Sequence, residues 1–153
     1  MKKPVGVWLV LALALVSWGG VAEARRLSEG EIKTIWRSNG AVEGVQEFQF
    51  GMVDWESRTV AVVGRSTPEA TTPAGKLLAK RQAVADAQRN LLYLLYELRY
   101  GLPERLSSIK VEGQVVMGHI DRQGEEDHRY VVEVSLPLHR LLEECVIWKA
   151  QVQ

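Results

Sequence analysis

The sequence predicts an α+β fold in which an antiparallel sheet of about four strands, in the order ββαββα, carries one long helix packed on a face. The first observation behind this prediction is that residues 76–100 are almost all good helix formers and include no glycine or proline. The second is that apolar and polar residues alternate before and after this stretch, with the period of two that half-buried strands show.

The long helix has clear boundaries. Thr72 is the expected N-cap because its hydroxyl can accept a hydrogen bond from a first-turn N–H, and Pro73 stands where a missing N–H costs nothing. Gly101 and Pro103 end the helix, which spans roughly 40 Å. The sequence does not decide which of two apolar stripes faces the sheet. One stripe is Leu77, Val84, Leu91, Leu95 and Leu98, and the other is Ala79, Ala83, Ala87, Leu91 and Leu94.

Two strands are predicted before the helix. Alternating residues predict one strand over residues 45–55, and the β-branched segment 59–63, which Gly64 follows, predicts another. We expect the two to pair as an antiparallel hairpin that turns at residues 57–58.

Two strands and a short helix are predicted after the long helix. Alternation over residues 109–118 and 130–136 predicts a second hairpin, with the polar connector 121–127 as its loop. Pro137 ends the last strand, and residues 138–148 have the pattern of a short amphipathic helix.

The first 24 residues are predicted to be a secretory signal peptide. Lys2 and Lys3 precede the apolar run 5–16, and Ala22-Glu23-Ala24 fits a cleavage site. We therefore expect cleavage after Ala24 and a periplasmic mature chain. A retained membrane anchor is the alternative, although the run is shorter than the roughly 20 residues that a membrane span needs.

The rest of the chain divides into an N-terminal arm, residues 25–44, and a single domain, residues 45–153. In the arm, Ser28 and Glu31 have the spacing of a capping box, so we expect a short helix or, as the alternative, an ordered arm. The chain is 46% hydrophobic and 25% charged, which is ordinary for a globular protein. Its formal net charge is zero, so we do not expect nucleic-acid binding, which usually needs a basic surplus.

Cys145 is the single cysteine of the chain. A single cysteine has no partner for an internal disulfide, and because Cys145 lies far from the expected cleavage site we expect no N-terminal lipid anchor on the mature chain. We expect a half-buried thiol on the C-terminal helix, with an intermolecular disulfide as the alternative.

No arrangement of residues predicts catalysis, a metal site or a cofactor. His119, His128 and His139 lack the close spacing of a structural zinc site, even when Cys145 is included. The acidic connector 121–127 lacks the ligand spacing of a calcium loop and is expected to be a solvated hairpin tip. We therefore expect a protein that is not an enzyme.

Trp55 is the most interesting single residue. Its simplest interpretation is a packing anchor at the end of a strand. The functional interpretation is that Asp54 and Trp55 contact a partner, because tryptophan is enriched at the centres of binding interfaces.

Several motifs of this chain occur together in one known family. Asp54-Trp55-Glu56 precedes a β-branched strand that closes on Gly64, and the helix then carries the pattern R-x-A-x-x-D-A-x-R-N-L. The matching helix residues are Arg81, Ala83, Asp86, Ala87, Arg89, Asn90 and Leu91. Over residues 53–140 the chain thus resembles the LPP-twenty lipoprotein-like domain, which occurs in small outer-membrane lipoproteins and in the flagellar accessory proteins FlgP and FlgT.

The resemblance implies an exported, non-catalytic structural or interaction module of the cell envelope, with an accessory of the flagellar basal body as one version. It implies a protein partner or a second copy of the chain, and outer-membrane or flagellar association. This chain lacks the acylated cysteine of the lipoprotein members. The alternative is a periplasmic protein that binds a small ligand or a metal, motivated by the three histidines, Cys145 and the acidic connector.

Overall fold

The computed structural model describes residues 27–40, 42–68 and 72–153, so the predicted signal peptide and its cleavage site lie outside the described residues. Three helices and seven strands follow one another in the described part of the chain. They are α1 (Glu29–Ser38), β1 (Val45–Glu47), β2 (Met52–Asp54), β3 (Thr59–Arg65), α2 (Pro73–Tyr100), β4 (Ile109–Gln114), β5 (His119–Glu126), β6 (Arg129–Pro137), α3 (Leu138–Glu144) and β7 (Val146–Val152).

Five of the strands form one antiparallel sheet in the order β1-β2-β3-β6-β5, and β4 and β7 form a separate antiparallel pair. The predicted α+β class is confirmed, and α2 packs on β3 and β6. The predicted number of four strands and the order ββαββα are not matched, because three segments of the chain fold differently from their sequence pattern.

The long helix α2 begins and ends at the predicted residues. Thr72 Oγ1 accepts a hydrogen bond of 3.1 Å from the Gly75 N–H, and Pro73 is the first helical residue. Gly101 follows the helix with φ of 73°, and its N–H donates to the Glu97 carbonyl at 2.9 Å. No helix among the described residues is long and apolar enough to cross a membrane.

The stripe of α2 that faces the sheet is the one that begins with alanines. Ala79, Ala83 and Ala87 are buried, whereas Leu77 of the other stripe is 53% exposed. These small residues let the helix lie close to β3. A Cβ atom on Gly64 would lie 2.0 Å from the Ala83 carbonyl oxygen and 2.4 Å from the Ala87 nitrogen. Farther along the helix, larger buried side chains fill the core, namely Leu91, Leu92, Leu94, Leu95 and Leu98.

The predicted single strand over residues 45–55 is wrong, because this segment is itself a hairpin of β1 and β2, but its predicted antiparallel pairing with the next strand is confirmed for β2 and β3. The Phe48 N–H donates to the Gly51 carbonyl at 2.8 Å across the turn. Both Phe48 and Phe50 pack against the core from this turn. The alternation of apolar and polar residues in this segment therefore comes from a turn and not from one extended strand. Gly51 is required there because a Cβ atom would lie 2.7 Å from the Ala61 carbonyl oxygen.

The predicted pairing of residues 109–118 with 130–136 is also wrong. The hairpin partner of β6 is β5, which is formed by most of the connector that was expected to be a loop. The actual turn is Asp127-His128, where φ is 48° and 62°. Apart from Ile120, which packs against the core, and Gly124, the residues of β5 are polar, and the backbone hydrogen bonds of this edge strand to β6 hold it in place.

The predicted helix over residues 138–148 is too long. Helix α3 ends at Glu144, and the chain continues as β7, which pairs with β4. Cys145 lies at this junction and is buried, where a half-buried thiol within the helix was expected. Its sulfur accepts a hydrogen bond of 3.4 Å from the Val116 N–H, and burial raises the pKa of the thiol.

The N-terminal arm contains the expected short helix. Ser28 Oγ accepts from the Glu31 N–H at 3.3 Å, and the Glu31 carboxylate accepts from the Ser28 N–H at 2.8 Å. The arm packs on the domain, since Asn39 Nδ2 donates to the Leu98 carbonyl at 3.0 Å. Its apolar contacts with the core come from Leu27, Ile32 and Ile35.

Replacing Gly64 with alanine is expected to lower the free energy of unfolding by about 2 to 3 kcal/mol, because the new Cβ atom meets helix backbone that cannot rotate away. The matched control is Gly124→Ala on β5, where a Cβ atom meets nothing within 4 Å. We expect the control to change stability by no more than about 0.5 kcal/mol. Urea denaturation measures both values, and equal losses would contradict close packing at Gly64.

Candidate functional site

The polar residues of the helix motif attach α2 to the edge of β3. Strand β2 pairs with β3 only at residues 59–61, so Val63 and Arg65 lie beyond the end of β2. Asn90 Nδ2 donates to the Val63 carbonyl at 2.8 Å, and Asp86 Oδ2 accepts from the Arg65 N–H at 2.9 Å. The two side chains therefore take the place of a neighbouring strand and satisfy the exposed backbone of β3.

The two arginines of the motif lie nearer to solvent. Arg89 forms an ion pair with Asp86, and its guanidinium lies 5.8 Å from the centre of the Tyr93 ring. Arg81 is exposed. Asp86 thus pairs with Arg89, while Asn90 turns to the sheet. The contacts of Asp86, Arg89 and Asn90 stabilise the fold, because each of them satisfies a charged side chain or a backbone group of β3.

Asp54 and Trp55, the predicted partner contact, have different surroundings. Asp54 Oδ1 accepts from the backbone N–H groups of Glu56 at 3.0 Å and Ser57 at 3.2 Å. Hydrogen bonds from the side chain and backbone of Ser57 lower the pKa of Asp54. Asp54 therefore shapes the turn between β2 and β3. Trp55 is half-buried against the core, and its Nε1–H donates to Gln46 Oε1 at 2.8 Å.

Trp55 also lines a cleft of about 400 Å³ between α1 and the β2–β3 turn, which we call the tryptophan cleft. Trp36 of α1 lines the same cleft, and its Nε1–H donates to the Val42 carbonyl at 3.2 Å. Leu138 and Ile32 supply further apolar lining. The structure thus joins the predicted residue Trp55 with a second tryptophan that the sequence analysis did not single out.

Trp148 is a surface residue that the sequence analysis missed. Its side chain is 68% exposed. The register of the β4–β7 pair shifts between Glu112 and Gly113, which leaves Trp148 as the extra residue of a β-bulge. The side chain borders an open groove of about 480 Å³, which we call the Trp148 groove, and its apolar lining includes Leu92, Val111 and Val115.

The cause of this miss is the helix predicted over residues 138–148. That prediction placed Trp148 at the end of an amphipathic helix, where an aromatic residue is unremarkable. The signal that favours a strand is the run Val146-Ile147-Trp148, because β-branched and aromatic residues are enriched in strands.

The histidines lie apart from one another. His119 begins β5, where its Nε2 is 3.9 Å from Asp121 Oδ1, while His128 is in the β5–β6 turn and His139 is in α3. Within the part of the chain that the structure describes, no group of three or more His, Cys, Asp or Glu side chains is placed to hold a metal ion.

Comparison of the chain with protein-family models, with curated proteins and with solved structures yields no match. The resemblance to the LPP-twenty domain, and the envelope or flagellar role that it implies, therefore remain predictions from the motif residues.

Glu97 of α2 fixes the turn between β1 and β2. Its Oε1 accepts from the Gln49 N–H at 3.1 Å, while Oε2 is buried with no hydrogen-bond partner among the described residues. Burial raises the pKa of Glu97, against the opposing effect of backbone hydrogen bonds from Gln49 and Phe50. The ionised carboxylate is therefore held at a cost in this position.

Replacing Glu97 with glutamine is expected to remove a pH-dependent loss of stability. The pKa of Glu97 is raised in the folded state, so the protonated carboxyl stabilises the folded wild type fully below the ordinary pKa of 4.5. This stabilisation is lost as the pH rises through the folded-state pKa. The stability of Glu97→Gln relative to the wild type should thus increase from about pH 4 to pH 7.

Urea denaturation across this pH range measures the difference between the two proteins. The matched control is Glu104→Gln, at an exposed residue of the segment that follows α2. A difference between Glu97→Gln and the wild type that stays constant with pH, or falls as pH rises, would refute the assignment.

Proposed function

We propose that the protein is an exported, non-catalytic interaction module of the cell envelope, which binds a protein partner or a second copy of itself at the Trp148 groove. The observation that carries this proposal is the exposed Trp148 on a β-bulge beside an open apolar groove. Bulges re-aim side chains, and tryptophan is the residue most often found at the energetic centre of an interface.

The surroundings of the Trp148 groove fit an interface with an apolar centre and a polar rim. Lys110 Nζ and Glu112 Oε1 form an ion pair of 2.9 Å on β4, and Lys149 of β7 lies opposite Glu112. Met117, which is 64% exposed, accepts a hydrogen bond from Gln88 Nε2 at 3.5 Å at the side of the groove. Among the described strands, β4 and β7 pair only with each other, so further strands could add at their outer edges.

The envelope location is supported by the predicted signal peptide and by the motif resemblance. A flagellar version of the proposal, in which the module is an accessory of the basal body, is supported by the same resemblance. The non-catalytic part is supported by the structural use of Asp54, Asp86 and Asn90, whose side chains all bond to the backbone of neighbouring strands and turns.

The first test is to quantify the protein by mass spectrometry in the periplasm, the outer membrane and purified flagellar basal bodies. We expect it to sediment with an envelope assembly, and Trp148→Ala to release most of it. Truncation of such a residue costs about 2 kcal/mol, or a factor of roughly 30 in affinity. Tyr100→Ala is the matched control, at a tyrosine that is 64% exposed at the end of α2.

An unchanged distribution of folded Trp148→Ala would refute the role of the Trp148 groove. Enrichment in basal bodies would support the flagellar version, and a purely periplasmic distribution would exclude stable attachment to the basal body.

A second candidate function is favoured by the tryptophan cleft. Its volume of about 400 Å³ lies within the range of small-molecule sites, which are largely apolar and carry a few polar groups. We therefore also propose a periplasmic small-ligand-binding protein as the alternative. Native mass spectrometry of the protein isolated from its source would reveal a bound small molecule as an added mass, and a Trp36→Leu variant should lose that mass.

A further inference from the structure

The two tryptophans of the tryptophan cleft have no indole donor left for a ligand. Trp55 Nε1–H is bonded to Gln46 Oε1 at 2.8 Å, and Trp36 Nε1–H to the Val42 carbonyl at 3.2 Å. A ligand in the cleft can therefore contact these two residues only through their ring surfaces. The face of a tryptophan ring is negative because of its quadrupole, and it attracts cations more strongly than the other aromatic rings do.

The floor of the cleft is apolar. Leu138 is 1% exposed, and Ile32 packs against the core beneath α1. A primary ammonium group on this floor would leave N–H donors without carboxylate acceptors, because Glu43 and Glu56 are exposed at the rim. An ammonium group whose hydrogens are replaced by alkyl groups carries no such donors, and its methyl groups gain from burial on this floor.

The charged residues that line the cleft are two carboxylates and two cations, and among the described residues only one of these cations is paired outside the lining. Glu43 and Glu56 line the cleft and form no ion pair among the described residues. Arg58 also lines it, but its guanidinium is 3.5 Å from Glu29 Oε1. Lys33 is the remaining cation of the lining. Because Arg58 is paired with Glu29, which lies outside the lining, the unpaired charges of the lining are two carboxylates and Lys33, and they favour a ligand of positive charge.

We infer that the tryptophan cleft binds a small organic cation whose charge is carried by an alkylated ammonium group, held between the rings of Trp36 and Trp55 and the carboxylates of Glu43 and Glu56. This inference rests on the second proposed function and names the ligand class for it. It is independent of the Trp148 groove, which lies on other elements of the fold.

The test compares two probes of the same shape. Choline carries the quaternary ammonium group, and 3,3-dimethylbutan-1-ol is its neutral carbon isostere. The purified protein, labelled with ¹⁵N, is titrated with each probe while the indole N–H signals are followed by NMR. We expect choline to shift the signals of Trp36 and Trp55 and to leave that of Trp148 unchanged. The neutral isostere should bind about tenfold more weakly.

The carboxylates provide a second test that spares the core. Glu43 and Glu56 are exposed, so the variant Glu43→Gln/Glu56→Gln should fold normally and bind choline about tenfold more weakly. Glu104→Gln, an exposed glutamate outside the cleft, is the matched control and should bind as the wild type does.

The outcomes distinguish failure of the cation assignment from failure of the second proposed function. Equal affinity for choline and its isostere, or unchanged choline affinity in the double variant, would overturn the cation assignment and leave a neutral small ligand in place. Absence of shifts at Trp36 and Trp55 with either probe would overturn the cation assignment and also remove the support for the second proposed function.

Discussion

The close contact between α2 and β3 at Gly64 is the constraint on which the rest of the structure depends. A helix can approach a strand this closely only if both surfaces are small, and here Gly64 faces Ala83 and Ala87. The approach brings Asp86 and Asn90 within hydrogen-bonding distance of the β3 backbone. The small residues at this contact thereby set the position of α2 and let its side chains satisfy the backbone groups of β3 that β2 does not reach.

Along α2, the polar side chains follow the helical period as regularly as the buried ones do. Gln82, Asp86 and Asn90 are each four residues apart, and they bond to Thr67, Arg65 and Val63, respectively. Within this row, Asp86 and Asn90 bond to the β3 backbone beyond the end of β2, where no described strand pairs with it on that side. Edge strands without such cover are prone to pair with other chains. The helix therefore contributes to solubility as well as to the core.

Much of the fold could be predicted from local sequence, and the exceptions have physical causes. The caps of α2 and α1 depend on residues three apart, so Thr72 and Ser28 identified them correctly. The pairing of β4 with β7 joins segments that are distant in the sequence, so no short stretch of residues indicates it. The sequence singled out Trp55 because it stands in a motif, whereas Trp148 did not stand out because its segment was assigned to a helix. The charged strand β5 was taken for a loop because an edge strand needs little apolar surface.

The pairing of β3 with β6 sets the order in which the molecule can be assembled. Thr59 pairs with Pro137 and Arg65 with Val131, so the centre of the sheet joins segments on the order of 70 residues apart. The helix α2 can form early from local contacts, but the sheet beneath it cannot close until the last third of the chain is available. A chain with this topology cannot complete its central sheet until most of its residues have been synthesised.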